Sequence, residues 1–204
     1  MSRILMIFAK APVPGQSKTR LIPMLGAQGA ADLQAQLLRH VVAELSDPRW
    51  QVQLWCAPDC SHPLFVELAE RYGMTLHQQQ GGHLGERMAH AFDQALAQGG
   101  QVVIVGADCP AINRELVEKS FEILEKEQKV VIAPAEDGGY VMLGLNRPMR
   151  QIFAALPWGS GQVLAATEQI LRTQQVGYVL QPVLWDVDRE QDVLRLRAEI
   201  SGFA

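Results

Sequence analysis

Hydrophobic positions along the chain alternate between two rhythms. Residues 4–8 form a short unbroken apolar run closed by a proline-rich loop, which is how a strand covered on both faces reads. Over residues 27–45 the spacing becomes helical, through Leu33, Leu37, Leu38, Val41, Val42 and Leu45, and it stops at Asp47-Pro48. The pattern then predicts a strand at 52–56, a helix at 62–72 ended by Gly73, a brief strand at 75–77 and a helix at 84–98 ended by Gly99-Gly100. Residues 102–105 make the most apolar strand. A helix at 114–127, strands at 130–133 and 140–145, a helix at 161–173, a strand at 178–180 and a last helix carrying Val193 and Leu196 complete the series. Strands alternating with helices imply an α/β fold in three layers, αβα, on a mostly parallel sheet. No repeat or linker interrupts it, so residues 1–204 read as a single domain.

Composition narrows the function classes. With 48% hydrophobic and 20% charged residues the chain is an ordinary globular one. A net charge of −4 argues against a nucleic-acid partner, which would demand clustered Lys and Arg. Cys56, Cys60 and Cys109 include no CxxC pair, which favours free thiols over a zinc site. The apolar start is too short for a signal segment, and no stretch is long enough to span a membrane, so a cytoplasmic protein is expected. Met24, Leu25 and Trp50 fit an interface or the core, the core being the usual place for apolar stripes.

In open parallel sheets, ligands bind beyond the carboxyl ends of the strands, so the loops there carry the candidate chemistry. The loop after the first strand holds Lys10, Pro14, Gly15, Lys18 and Arg20; three cations beside a glycine turn suit a di- or triphosphate, although a solvated basic loop would look the same. It is not a Walker A sequence. Asp108, in Gly106-Ala107-Asp108-Cys109-Pro110, is placed to hold Mg²⁺ or Mn²⁺, or simply to cap the next helix. Asp137-Gly138-Gly139-Tyr140 allows close backbone approach to a ligand, or is a plain Asp-Gly turn between two strands. Asp186 and Asp188 project to one side of an extended Trp185-Asp186-Val187-Asp188, where a divalent cation would relieve their repulsion; Asp188 could instead cap the last helix.

Taken together, KAPVPGQSKTRL (10–21), GGHLGERM (81–88), GADCP (106–110), APAEDGGYVMLGL (133–145), Pro157-Trp158 and WDVDREQDV (185–193) resemble the bacterial DUF2064 group of GT-A-like glycosyltransferases, some of them named as arsenosugar-biosynthesis transferases. The resemblance spans almost the whole chain, with one departure: position 83 is His where that group often carries an acid. It implies a nucleotide-diphospho-sugar transferase fold, phosphates on Lys10, Lys18 and Arg20, a catalytic metal site at Asp108, Asp186 and Asp188, and an acceptor facing residues 137–140. The implied reaction is metal-dependent transfer from a nucleotide or nucleotide-sugar donor to a small-molecule acceptor. Glycosyl transfer and nucleotidyl transfer both fit, since each surrounds the same pyrophosphate with metal and cations. A non-catalytic nucleotide-binding module would be expected to lose the acids, which are present. An NAD-dependent oxidoreductase would need GxGxxG after the first strand, which is absent.

Overall fold

The computed structural model describes residues 2–126, 129–154 and 156–203. Its elements are β1 (Arg3–Lys10), α1 (Ile22–Leu45), β2 (Gln51–Ala57), α2 (Pro63–Tyr72), β3 (Thr75–Gln78), α3 (Leu84–Leu96), β4 (Gln101–Gly106), α4 (Arg114–Lys126), β5 (Val130–Pro134), β6 (Tyr140–Leu145), α5 (Val163–Thr173), β7 (Tyr178–Leu180) and α6 (Glu190–Glu199). Glu127, the expected end of the fourth helix, lies outside the described residues.

All seven strands join one sheet in the order β3-β2-β1-β4-β6-β5-β7. Every neighbouring pair is parallel except β4–β6 and β5–β6, because β6 returns directly from β5 through the turn at 135–139 with no helix to cross over. The two-residue period of the strands divides the core. Leu5, Ile7 and Ala9 of β1 pack with Val41, Leu68 and Phe121 on the α1, α2 and α4 face. Ile4 and Met6 pack with Phe92, Phe153 and Leu171 on the α3 and α5 face. Trp50 is 5% exposed, which places it in the core.

A third cluster joins Leu21, Leu33 and Leu37 to Trp185, Val187, Val193, Leu196 and Phe203, with Met24 and Leu25 packed at its margin. It fastens the C-terminal segment across α1. The helical pattern of α1 was expected from residue 27, and Gly26 explains why: at φ 71 and ψ 168 it breaks the helix, leaving one proline-started turn before it. The fifth helix starts at Val163 rather than at residue 161, because Gly161 is packed against Asp137.

Candidate active site

Parallel register brings the ends of β1, β2 and β4 to one edge of the sheet, at Lys10, Ala57 and Gly106. Since β6 runs the other way, its first residue, Tyr140, arrives at the same edge beside Pro134 of β5. A cleft of about 650 Å³ opens over this edge, and Lys10, Lys18, Arg20, Asp108, Asp186 and Asp188 all line it. Asp137, Gly139 and Tyr140 line it as well. Pro14 and Gly15 are exposed and stand outside its walls; Gly15, at φ +77, turns the loop so that Lys10 Nζ donates to the Gln16 carbonyl at 2.6 Å.

The cations are engaged with the acids. Lys18 Nζ donates to Asp108 Oδ2 at 2.9 Å and to the Val187 carbonyl, with only 6% of its side chain exposed. Its backbone is left-handed, at φ 47 and ψ 44, a conformation that costs a non-glycine residue about 1–2 kcal/mol. Arg20 pairs with Asp188. Asp186 has its pKa pushed up to about 6, first by burial and then by the negative charges of Asp108 and Asp137, with Lys18 opposing them.

Backbone hydrogen bonds fix this meeting of distant segments. Val187 N–H donates to the Asp108 carbonyl at 3.0 Å, Leu184 N–H to the Pro134 carbonyl at 2.9 Å, and Glu136 N–H to the Leu184 carbonyl at 3.0 Å. Trp185 and Val187 are buried while Asp186 and Asp188 stay partly open, so the alternation expected for the pair is present. The capping alternatives are overturned. Asn113 caps α4 by accepting from Leu116 N–H at 2.9 Å, and Asp192 accepts from the backbones of Asp188 and Arg189 at 3.0 and 2.7 Å, leaving both Asp108 and Asp188 available to the cleft.

The Asp137 turn is both things its sequence allowed. It links β5 to β6, with Asp137 Oδ1 accepting from Gly139 N–H at 2.8 Å, and it also forms a wall of the cleft. Gly138, at φ +86, faces away: a Cβ there would stand 2.1 Å from the Gly161 carbonyl oxygen, so this glycine docks the turn onto the segment before α5. Among the further side chains that line the cleft and that site reasoning from sequence missed are Gln34, Gln79, Arg87 and Trp158. Arg87 and Trp158 stand inside the GGHLGERM and Pro157-Trp158 strings, where a signal existed. Gln34 sits in a helix and Gln79 in a polar loop, and neither carries a spacing that marks it.

Among the described residues, no group of three or more His, Cys, Asp or Glu side chains is arranged to hold a metal ion. The donor chemistry at Asp108 and Asp186 nevertheless suits a hard divalent cation. Burial first, and then the charge of Asp108, push the Asp186 carboxyl up, and a hard cation would relieve both while completing its shell with water and phosphate oxygens.

This sheet order, with helices on both faces and a charged cleft at the strand ends, is the fold of the nucleotide-diphospho-sugar transferases. A crystal structure from Desulfovibrio desulfuricans G20 that carries that name provisionally matches with a TM-score of 0.87 and 29% identity, over 100% of this chain and 90% of that one. Residues 37–160 match the family DUF2064, described as uncharacterized protein conserved in bacteria, and the chain belongs to that family. Remoter matches include a nucleotidyl transferase from Methanothermobacter, at TM-score 0.63 and 12% identity over 97% of this chain and 96% of that one. Another is glucosyl-3-phosphoglycerate synthase from Mycobacterium tuberculosis in complex with Mn²⁺, UDP and glucosyl-3-phosphoglycerate, at TM-score 0.56 and 12% identity over 95% and 75% of the two chains. At such identities the likeness is one of fold alone. No curated protein sequence matches the chain. Among the described residues, no helix is long and apolar enough to cross a membrane.

Proposed function

We propose that the chain is a transferase with a nucleotide donor, and that it moves the sugar of a nucleotide sugar to a small-molecule acceptor. The observation that carries this reading is the convergence of Lys10, Lys18 and Arg20 with Asp108, Asp186 and Asp188 in one cleft at the carboxyl edge of the sheet. Fixed cations placed where a diphosphate gathers charge as it leaves stabilise that charge without reorganising solvent. Lys18 and Arg20 are held for this task by Asp108 and Asp188, and the strained backbone of Lys18 sets the direction of its side chain. Asp108 and Asp186 would hold Mg²⁺ or Mn²⁺, with Asp188 beside them. That ion, when bound, supplies further neutralisation of the phosphates. Asp137, Gly139 and Tyr140 also line the cleft, and the acceptor would enter beside them.

Three cations match a triphosphate as well as a diphosphate, so nucleotidyl transfer is the second reading. The two differ in the bond broken, sugar C1 to oxygen or the link between α and β phosphates. The test is a thermal-shift screen of nucleoside triphosphates and nucleotide sugars with and without Mn²⁺, on wild type and Asp108→Ala. A ligand held near 100 times its dissociation constant adds about 2.7 kcal/mol of apparent stability. A metal-dependent shift by a nucleotide sugar that Asp108→Ala abolishes supports glycosyl transfer, and the same behaviour from a triphosphate favours nucleotidyl transfer. Binding without turnover of any bound donor marks a non-catalytic module. If no nucleotide shifts the melting point, the assignment of the phosphate loop fails.

A further inference from the structure

Among the described residues, Gln101, Tyr140, Trp158 and Gln181 each bury a side-chain polar atom that has no hydrogen-bond partner. Gln101 opens β4 at the edge opposite the cleft and Gln181 follows β7, and neither lines the cleft. Tyr140 and Trp158 both line it, and they are neighbours, with ring centroids 6.2 Å apart and planes at 80°. Thr167 lies beside the Tyr140 hydroxyl and donates its own proton to the Val163 carbonyl at 2.8 Å; its oxygen is free to accept, yet it makes no hydrogen bond with the phenol.

Trp158 rests on α3. A Cβ at Gly85 would stand 2.3 Å from Nε1, so only glycine admits the indole there, and the glycine backbone gives the N–H nothing to bond. Buried donors without partners are costly, and two of them together in the wall of a cleft are groups awaiting an acceptor. The nature of that acceptor follows from the pair. A phenol hydroxyl donates or accepts, an indole N–H only donates, and both are neutral. Leu84 and Met88 line the same cleft and add apolar surface. An anionic group would be drawn instead to Lys10, Lys18 and Arg20. A neutral ring with hydroxyls on its rim and C–H groups on its face satisfies both the aromatic walls and the two polar atoms.

We propose that Tyr140 and Trp158 form a sugar subsite, in which the phenol O–H and the indole N–H hydrogen-bond the hydroxyls of a pyranose or furanose ring lying against them. The inference rests on the nucleotide-donor reading and deepens it. Tyr140 directly follows the Asp137 turn, so the subsite adjoins the acidic end of the cleft, where the sugar of a donor or of an acceptor would stand. Both atoms are shielded from solvent, so an entering ring displaces Trp158 from its seat on Gly85.

The test uses the full chain with Mn²⁺ as wild type, Tyr140→Phe and Trp158→Phe, and measures calorimetric affinities for UDP, GDP, UDP-glucose, GDP-mannose, glucose and mannose. If the donor supplies the ring, the variants bind UDP and GDP as wild type does and lose about tenfold in affinity for a nucleotide sugar, or 1.4 kcal/mol. If the acceptor supplies it, the loss falls on the free sugars titrated in the presence of nucleoside diphosphate. Variants that match wild type toward every sugar-bearing probe overturn the subsite, and nucleotides bound alike with and without their sugar do the same while leaving the nucleotide reading intact. Sugars bound by wild type and lost in the variants, with no nucleotide bound at all, uphold the subsite and sink the donor reading. Tyr140→Phe removes a hydroxyl without a partner, so its melting temperature should not fall. A drop of several degrees with unchanged sugar binding would show that the hydroxyl serves the fold through Thr167, and would overturn the proposal.

Discussion

Lys18 shows how one side chain can be bound to the fold and to the proposed phosphate site together. Only 6% of its side chain is exposed, and its charge is met by Asp108 and a backbone carbonyl. Removing the carboxylate in Asp108→Ala leaves that charge without its partner. Because Asp108 is 38% exposed and water screens part of the pair, the expected loss is about 2 kcal/mol, below that of a fully buried pair. Urea denaturation should show this loss, and Lys18→Met added to Asp108→Ala should recover most of it. Asp186 gives the opposite sign. Its folded-state pKa near 6 lies above the usual aspartate value, first because of burial, so folding favours the protonated acid. That contribution is complete below pH about 4, declines as pH rises and is gone above about 6. In the absence of ligand, Asp186→Asn should therefore gain thermal stability over wild type as pH rises between those values and hold the gain at pH about 8. Equal melting temperatures at pH about 8 would contradict the assigned cause.

At the level of elements, apolar runs and glycine or proline punctuation were enough to read every strand and helix, because each buried face imposes its own period. The pattern misled at the start of α1, whose first turn is helical although Gly26 isolates it from the rest. The reversal of β6 agrees with the Asp-Gly turn that the sequence offered there, since five residues cannot cross over a sheet. The cations and acids were legible because unlike charges crowd the loops after strands. Gln34 and Gln79 were not, because a single polar residue in the cleft leaves no rhythm. The contact between Gly138 and Gly161 was equally invisible, being a meeting of backbones distant in sequence. Gly138→Ala would bring a Cβ 2.1 Å from a carbonyl oxygen at a left-handed φ of +86, so a loss of about 2–4 kcal/mol is expected. The same change should alter the emission of Trp158, read as the difference from Trp158→Phe. An unaltered Trp158 signal would mean that the turn does not hold that segment.

Across the whole molecule, the site depends on a segment that crosses the sheet late in the sequence. Trp185 and Val187 enter a core cluster with α1, and Val187 N–H reaches the carbonyl of Asp108. Val187→Pro removes that N–H and should cost about 3 kcal/mol or more; it should weaken nucleotide binding beyond what the stability loss explains, as calorimetry on the folded fraction would show. Binding that stays at wild-type strength would mean the strap is dispensable to the cleft. The order of synthesis gives this arrangement another consequence. While β1 to β6 emerge from the ribosome, Lys18 and Asp108 are already present, yet Asp186, Asp188 and the carbonyl that receives the lysine are still unmade. A nascent chain thus holds Lys18 beside Asp108 before Arg20 has Asp188, and the charged cleft is complete only once residues 184–188 have emerged.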